Sequence, residues 1–300
     1  MFVATVFAVF FVIALAGVPL MYALLITTLG MIWAMGLSHS PETIFLTFIG
    51  GVEPYILIAV PLFIFAGELL SQGGVGKRIV EFARVLLGFL PGGLGVVTVA
   101  SCLMFGGVSG SAIADTAAIG SLVIPAMVQR GYPRGFAAAL LAVAGTLALL
   151  MPLSIPFLVY AFISGVSMRQ LSMSGVVPAI ICAFALIAVC VWYGRKTGCD
   201  SGDRRASAAE IWVATKDAGP ALMMPLIIVG GIWTGIFTPT ESAAVAVVYG
   251  LAVSLFLYHD LKWHDLPRLL LNAFQTSATV MLVIGATAAL AWLLTVEQVA

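Results

Sequence analysis

One carboxylate, Asp115, lies within a long apolar stretch, and its neighbours could bind an ion. Residues 85–128 carry no other charged side chain, and Ser109, Ser111 and Thr116 are close to Asp115 along the chain. An ionised carboxylate at the centre of a membrane helix costs roughly 2.5–3.5 kcal/mol on insertion scales, so such a residue is a functional candidate by default. Oxygen ligands from serine, aspartate and backbone carbonyls suit a hard cation such as sodium. A structural role, in which Asp115 caps a helix near its positive end, is the alternative and is compatible with the first.

Residues 105–111, with the sequence Phe-Gly-Gly-Val-Ser-Gly-Ser, are rich in small residues and precede Asp115. Glycines let backbone N–H groups approach an anion, and the N-terminus of a following helix adds a favourable dipole. A carboxylate substrate would therefore fit at this position. Close helix packing is the structural alternative, because small residues line helix interfaces in membranes.

The segment Gly107-Val108-Ser109-Gly110 also matches the GxSG pattern of intramembrane serine proteases. A serine nucleophile of this kind needs a histidine base within hydrogen-bond reach. All three histidines fall in predicted loops, at His39, His259 and His264. Their positions disfavour an intramembrane hydrolase that uses Ser109, which is kept as the alternative function.

The composition of the chain excludes a soluble globular protein. Of its 300 residues, 62% are hydrophobic and 9% are charged, with a mean hydropathy of +1.16, whereas about 25% of residues are charged in an average soluble domain. The 13 basic and 13 acidic residues cancel, so no basic surface is available for nucleic acid. Continuous apolar runs longer than about 17 residues favour helices over the alternating strands of a membrane barrel. The chain is therefore predicted to be an all-α polytopic protein of the lipid bilayer.

Charge-free stretches divide the chain into spans and loops. Basic residues cluster at 77–84, 130–134, 195–216 and 262–268, and by the positive-inside rule these clusters lie in the cytoplasm, whereas the acidic loop 38–54 lies outside. The apolar stretches are 1–41 with a break at 17–19, then 55–71, 85–128, 135–168, 173–194, 218–258 and 270–295.

Two of these stretches are predicted to be interrupted inside the membrane. The segment of about 88–128 begins and ends on the cytoplasmic side, which favours a re-entrant hairpin with its tip near the bilayer midplane; two ordinary spans with a tight external turn are the alternative. In 135–168, Pro152 and Pro156 break the helix, because proline lacks an N–H donor and clashes with the preceding turn. Two broken segments together favour a binding site built from half-helix ends.

The order of hydropathy indicates an internal repeat. The stretch around Pro19 resembles the one around Pro239, at an offset of 220 residues (239 − 19). An odd number of spans before the second copy would invert it, as in secondary transporters. On this interpretation the second copy is truncated and the chain is the N-terminal part of a longer permease. The predicted divisions are a first inverted repeat at 1–194 with a span at 173–194, a cytoplasmic loop at 195–217, and the start of the second repeat at 218–300.

Glu241, in the segment Thr238-Pro239-Thr240-Glu241, is the second polar residue within an apolar run. It could cap the helix that follows, because a threonine and a glutamate three residues apart suit a helix start near a proline. It could equally line a second site related to the first by the repeat. Both interpretations stay open at this point.

Four motifs occur in order along nearly the whole chain, at 61–69, at 106–120, at 145–147 with 152–156, and at 235–244. Together they resemble the large membrane subunit of TRAP (tripartite ATP-independent periplasmic) transporters, the DctM-like family. The hairpin motif and the Thr-Pro-Thr-Glu motif are specific features of this resemblance. It implies an elevator-type, inverted-repeat secondary transporter driven by sodium, and no enzymatic activity.

The resemblance also implies positions for the bound sodium ions and the substrate. In the family, sodium lies between the tip of the first hairpin and the broken helix after it. The family usually has Gly-Ile-Leu-Ile-Pro-Pro-Ser where residues 148–154 of this chain read Ala-Leu-Leu-Met-Pro-Leu-Ser. Backbone carbonyls could still coordinate sodium there, because they do not depend on the side chains that differ. The implied sodium ligands are Ser109, Asp115, Ala148, Met151 and Leu153, with Thr238 and Thr240 in a second sodium site. The candidate substrate-binding residues are Gly107, Ser109, Gly110, Ser111, Thr146 and Ser154.

Partners and location follow from the same resemblance. A periplasmic binding protein would deliver an organic acid, such as a C4-dicarboxylate-like or another carboxylate substrate, and a small four-helix membrane subunit would brace the large one. The expected location is the inner membrane of a bacterium. Sodium is the expected ion, and no other metal or cofactor is implied.

Overall fold

The computed structural model describes residues 2–34, 36, 40–200 and 202–298, and within these ranges it contains helices and no strand. Short 3₁₀ turns at Tyr55–Ile58, Thr146–Leu150 and Trp263–Asp265 and a π-helical turn at Val253–Leu257 separate or extend the α-helices. The α-helices are α1 (Phe2–Leu15), α2 (Leu20–Ala34), α3 (Pro41–Gly50), α4 (Ala59–Gln72), α5 (Val75–Leu87), α6 (Gly93–Ser109), α7 (Ala112–Gln129), α8 (Arg134–Gly145), α9 (Ile155–Ser164), α10 (Met168–Thr197), α11 (Ala208–Thr234), α12 (Pro239–Ala252) and α13 (Leu266–Val296).

Seven helical stretches within the described ranges are long and apolar enough to cross a membrane. A helix needs about 20 apolar residues to span the hydrocarbon core, because it rises about 1.5 Å per residue. The prediction of an all-α polytopic membrane protein is therefore confirmed. The seven stretches are Tyr55–Gln72, Ala112–Gln129, Arg134–Ser164, Met168–Thr197, Ala208–Thr234, Pro239–Leu257 and Trp263–Val296.

The chain divides into two compact units. The first contains Met1–Leu57 and Phe274–Ala300, and its core includes Leu24, Ile44 and Leu293. The second contains Ile58–Ala273 and carries all of the predicted site residues. Its buried core includes the large side chains Phe63, Leu69, Phe105, Ile119 and Met127.

Helices α6 and α7 form a hairpin within the second unit, where the sequence analysis placed one. Gly110 joins them in the left-handed conformation, with φ of 59°, which glycine adopts without the steric penalty of a Cβ atom. Ser111 begins α7 as its N-cap, and its hydroxyl accepts a hydrogen bond from the Ala114 N–H at 3.3 Å. The depth of this hairpin in a membrane stays a prediction.

The next helix is discontinuous. Helix α8 ends at Gly145 and passes through the turn Thr146–Leu150, and α9 begins only at Ile155. Ser154 caps α9, and Pro156 falls in its first turn, where a missing N–H removes no helical hydrogen bond. The break therefore gives α9 an N-terminus of its own in the middle of an apolar stretch.

Two predicted loops are shorter in the structure than in the sequence analysis. The loop predicted at 195–217 extends only from the end of α10 at Thr197 to the start of α11 at Ala208. Charged residues do not exclude a helix there, because basic residues favour a helix C-terminus and a capping box of Ser207 and Glu210 begins α11. The acidic loop at 38–54 likewise contains α3, which Ser40 caps.

Asp200, in the loop between α10 and α11, contacts both open ends of the hairpin. Its buried carboxylate accepts the Leu94 N–H at 2.7 Å in the first turn of α6 and pairs with Arg130 at 2.8 Å after α7. Its carbonyl oxygen accepts the Gly92 N–H at 2.9 Å. Hydrogen bonding to Asp200 raises the pKa of Arg130, which keeps the guanidinium charged. One residue thus fixes the two hairpin ends to the loop.

We expect Asp200→Ala to destabilise the second unit by about 2 kcal/mol, the typical value for hydrogen bonds to a charged group. The midpoint of thermal unfolding in detergent should fall by a few degrees. Asp203→Ala is the control, since Asp203 also pairs with Arg130 at 2.8 Å but its side chain is 31% exposed, and exposed pairs contribute about 0–1 kcal/mol. Equal melting temperatures for the two variants would contradict this role for Asp200.

Candidate functional site

Ser109 and Asp115 form a buried pair at the tip of the hairpin. Relative exposure is 1% for Ser109 and 0% for Asp115. The Ser109 hydroxyl donates a hydrogen bond to Oδ1 of Asp115, and the Ser111 N–H donates to the Ser109 oxygen at 3.2 Å. Oδ2 of Asp115 is also buried and has no hydrogen-bond partner among the described residues. A buried carboxylate with one unpartnered oxygen requires a cation or a proton, because burying an uncompensated charge is costly.

The turn Thr146–Leu150 and this carboxylate both lie against Gly106. A Cβ atom built on Gly106 would lie 2.9 Å from Oδ2 of Asp115 and 2.7 Å from the Cα atom of Ala148. Real Cβ contacts are not this short, so only glycine fits at residue 106. The absence of a side chain there lets the backbone of the broken helix and the unpartnered oxygen both lie against Gly106.

Two further glycines bring the hairpin against the break between α8 and α9. A Cβ on Gly107 would lie 3.1 Å from the Met151 methyl group, and one on Gly110 would lie 2.9 Å from the Leu153 carbonyl carbon and 3.0 Å from the Ser154 Cα atom. Residues 106–110 therefore pack closely against residues 148–154. This contact brings the backbone of Ala148 and Leu153 against Gly106 and Gly110, the glycines that flank Ser109 in sequence.

The N-termini of α7 and α9 meet at the same place. Ser111 caps α7, and Ser154 caps α9 by accepting the Phe157 N–H at 3.4 Å. Each helix N-terminus leaves N–H groups without helical partners and carries a partial positive charge. Two such ends beside a buried carboxylate provide sites of opposite charge preference, one for a cation and one for an anion.

The structure brings together most of the first group of predicted residues but not Thr146. Its side chain is exposed, and its hydroxyl donates to the Val143 carbonyl at 2.7 Å, away from the buried pair. The residues that share the tip region are Gly107, Ser109, Gly110, Ser111, Asp115, Ala148, Met151, Leu153 and Ser154.

The two threonines of the second predicted sodium site lie at the start of α12, and they differ in exposure. Thr238 is exposed, and it forms a capping box with Glu241, whose carboxylate accepts the Thr238 N–H at 2.7 Å. Thr240 is buried in the first turn of α12. Of the two interpretations of Glu241, helix capping is the one that these contacts support, and a second sodium site stays a prediction.

Three residues at the tip region are not among the predicted site residues, although Gly106 belongs to the predicted glycine-rich segment 105–111. Gly67 in α4 contacts the Ser109 backbone, because a Cβ atom there would lie 3.5 Å from the Ser109 oxygen. Gly106 lies against Asp115, and the Pro225 side chain of α11 approaches Gly107. Gly67 and Gly106 lie within the motifs that carry the family resemblance, but spacing alone does not show that they meet.

The Ser109 hydroxyl donates its hydrogen bond to a carboxylate rather than to a histidine. Nε2 of His264 lies 3.2 Å from Oδ1 of the adjacent Asp265, His259 is exposed, and His39 lies outside the described residues. Among the described residues Ser109 therefore has a carboxylate partner and no histidine base, which a serine nucleophile of this kind needs.

Comparison with known proteins gives consistent matches over most of the chain. Residues 7–300 match the family model described as "Tripartite ATP-independent periplasmic transporter, DctM component". The chain is 37% identical over 282 residues to a putative TRAP transporter large permease protein of Haemophilus influenzae, covering 94% of this chain and 66% of the relative. It is 37% identical over 295 residues to the C4-dicarboxylate TRAP transporter large permease protein DctM of Rhodobacter capsulatus, covering 93% and 66%.

A third relative is the isethionate TRAP transporter permease protein DctMQ of Oleidesulfovibrio alaskensis, 37% identical over 293 residues. That alignment covers 98% of this chain and 46% of the relative. The chain thus spans slightly less than two thirds of the first two relatives and about half of the third. The family match, the identities and the helical membrane fold agree with one another, and the chain belongs to the DctM component family of tripartite ATP-independent periplasmic transporters.

Proposed function

We propose that this chain belongs to the large membrane subunit of a sodium-coupled symporter that imports an organic acid. The observation that carries the proposal is the buried Asp115, whose Oδ2 atom has no partner among the described residues and lies beside Ala148. Sodium bound there would neutralise the carboxylate and accept oxygen ligands from Ser109 and from the broken helix. The chain is a multi-pass membrane protein of the bacterial inner membrane, and members of its family are transporters, not enzymes.

Coupling would follow because the site that favours a cation and the site that favours an anion are adjacent. The ion binds between α6–α7 and the break before α9, and these are the segments whose helix N-termini favour an anion. Binding of sodium would therefore hold the two segments together and complete the substrate site. A ligand shifts an equilibrium only by its difference in affinity for two states, and here the ion binds only the joined state.

The substrate is proposed as an organic anion without a more specific identity. The positive N-terminal ends of α7 and α9 and a glycine-lined tip favour a carboxylate or a similar acid. The names of the relatives give different substrates, including C4-dicarboxylate and isethionate. We propose that a periplasmic binding protein delivers the substrate and that a small membrane subunit completes the permease. Both partners follow from the family.

The proposal is tested by uptake into proteoliposomes that contain the permease with this chain and its small subunit. We expect uptake of a radiolabelled organic acid to need both an inward sodium gradient and the binding protein. Replacing external sodium by choline should reduce uptake to background, and restoring sodium should recover it. Equal uptake in sodium and in choline would contradict sodium coupling.

A further inference from the structure

Helix α11 is weakened in its middle by two prolines. Pro220 and Pro225 both lie inside the helix. Because proline has no N–H, the carbonyl groups of Lys216 and Ala221, four residues earlier in each case, lack their usual helical donors. A helix with two such gaps needs other groups to define its geometry.

Two tyrosine hydroxyls from the end of α12 and beyond bind the backbone of this weakened stretch. The Tyr258 hydroxyl donates to the Asp217 carbonyl at 2.8 Å and accepts the Ala221 N–H at 3.2 Å. These two backbone groups are an i, i+4 pair of α11, so one side chain contacts both members of a helical hydrogen bond. The Tyr249 hydroxyl donates to the Pro220 carbonyl at 2.8 Å.

The Tyr258 ring is itself held in place. The Arg78 guanidinium lies over the ring, 3.7 Å from its centre, and pairs with Asp260 at 2.5 Å and with Asp217 at 3.5 Å. Burial raises the pKa of Tyr258 to about 12, so the phenol keeps its proton at neutral pH. The π-helical turn Val253–Leu257, a type of turn often found at functional sites, comes immediately before Tyr258.

The weakened stretch reaches the candidate site at its other end. The Pro225 side chain would lie 3.8 Å from a Cβ atom on Gly107, in the hairpin. Asp217 and Pro225 are eight residues apart, or roughly 12 Å along a helix. The position of Pro225 against the hairpin therefore depends on the turn that Tyr258 contacts.

We propose that Tyr258 is a positioning residue for transport, whose hydroxyl fixes the Asp217–Ala221 turn of α11 and thereby keeps Pro225 against the ion-binding hairpin. The inference rests on the proposed sodium-coupled function. Loss of the hydroxyl would loosen α11 locally without removing any group from the ion site.

Tyr258→Phe tests this role, because it removes one oxygen and keeps the ring beneath Arg78. We expect hydrogen exchange of the purified permease in nanodiscs to be faster by about fivefold in peptides that contain the Ala221 amide, the factor expected for loss of one ordinary hydrogen bond. The sodium concentration that gives half-maximal protection of residues 106–112 should rise, while the thermal unfolding midpoint changes little.

Two tyrosine variants serve as controls. Tyr249→Phe removes a donor to a carbonyl and should leave exchange of the Ala221 amide unchanged, and Tyr22→Phe changes an exposed ring in the other unit, 54% exposed, and should change neither readout. If Tyr258→Phe leaves both exchange at Ala221 and the sodium dependence as in the wild type, the role of Tyr258 is wrong. If sodium does not protect residues 106–112 from exchange in the wild type or in any variant, the proposed sodium coupling itself is wrong.

Discussion

Asp115→Asn is expected to abolish sodium-dependent uptake. Asparagine has nearly the same shape as aspartate, and its oxygen can still accept the hydrogen bond of Ser109. What the variant removes is the negative charge that a hard cation requires in a site otherwise made of neutral oxygens. Because Asp115 is fully buried, no water can replace that charge at low energetic cost.

Two measurements separate loss of ion binding from loss of folding. Uptake should fall to the level seen in choline, and sodium should no longer protect residues 106–112 from hydrogen exchange, while the thermal unfolding midpoint without sodium should be retained or raised, since an uncompensated buried charge has been removed. Glu53→Gln, at an exposed acidic position, is the control and should transport normally. Sodium-dependent uptake by Asp115→Asn at the wild-type level would show that Asp115 is not a required ion ligand.

The importance of Asp115 could be predicted because its signal is local. A charge in an apolar run of more than forty residues is visible in the sequence, and its energetic cost in a membrane does not depend on the fold. The hairpin turn at Gly110 and the break around Pro152 are local in the same sense, since backbone freedom and missing donors belong to single residues. These features were all found from residue types and spacing.

The partners of Asp115 could not be derived in that way. Ala148 has no polar side chain, and it reaches the carboxylate only because Gly106 lets two backbones approach. The roles of Asp200 and Tyr258 could not be derived for the same reason. Each binds backbone groups far away in sequence, at Leu94 and at Asp217 respectively. Nothing in the local pattern of such residues distinguishes them from an ordinary loop acid or an interface tyrosine.

The error in the loop at 195–217 has a related cause. Charged residues alone do not mark a loop, since α10 continues through Arg195 and Lys196, and a capping box of Ser207 and Glu210 begins α11. Charge reports the side of the membrane better than it reports the end of a helix. The same pattern of a hydroxyl residue and a glutamate, at Thr238 and Glu241, predicts a cap, and the structure has one there.

Gly110→Ala is expected to remove transport activity although it adds only one methyl group. The left-handed conformation of Gly110 carries a penalty of about 1–2 kcal/mol for any residue with a Cβ atom. The new methyl group would also overlap backbone atoms of Leu153 and Ser154, which cannot yield as a flexible side chain would. The hairpin tip must therefore move away from the break, and the Ser109 and Asp115 pair separates from the backbone of the broken helix.

Gly165→Ala isolates the effect of that overlap. Gly165 has a similar φ of 68°, but a Cβ atom there meets nothing within 4 Å, so the variant carries the backbone strain alone. Both variants should melt a few degrees below the wild type. Only Gly110→Ala should lose sodium protection of residues 106–112 and organic-acid uptake, because only that change separates the hairpin from the broken helix. Equal uptake by the two alanine variants would mean that contact between Gly110 and the break is not needed for ion binding, and the sodium site would then have to lie elsewhere.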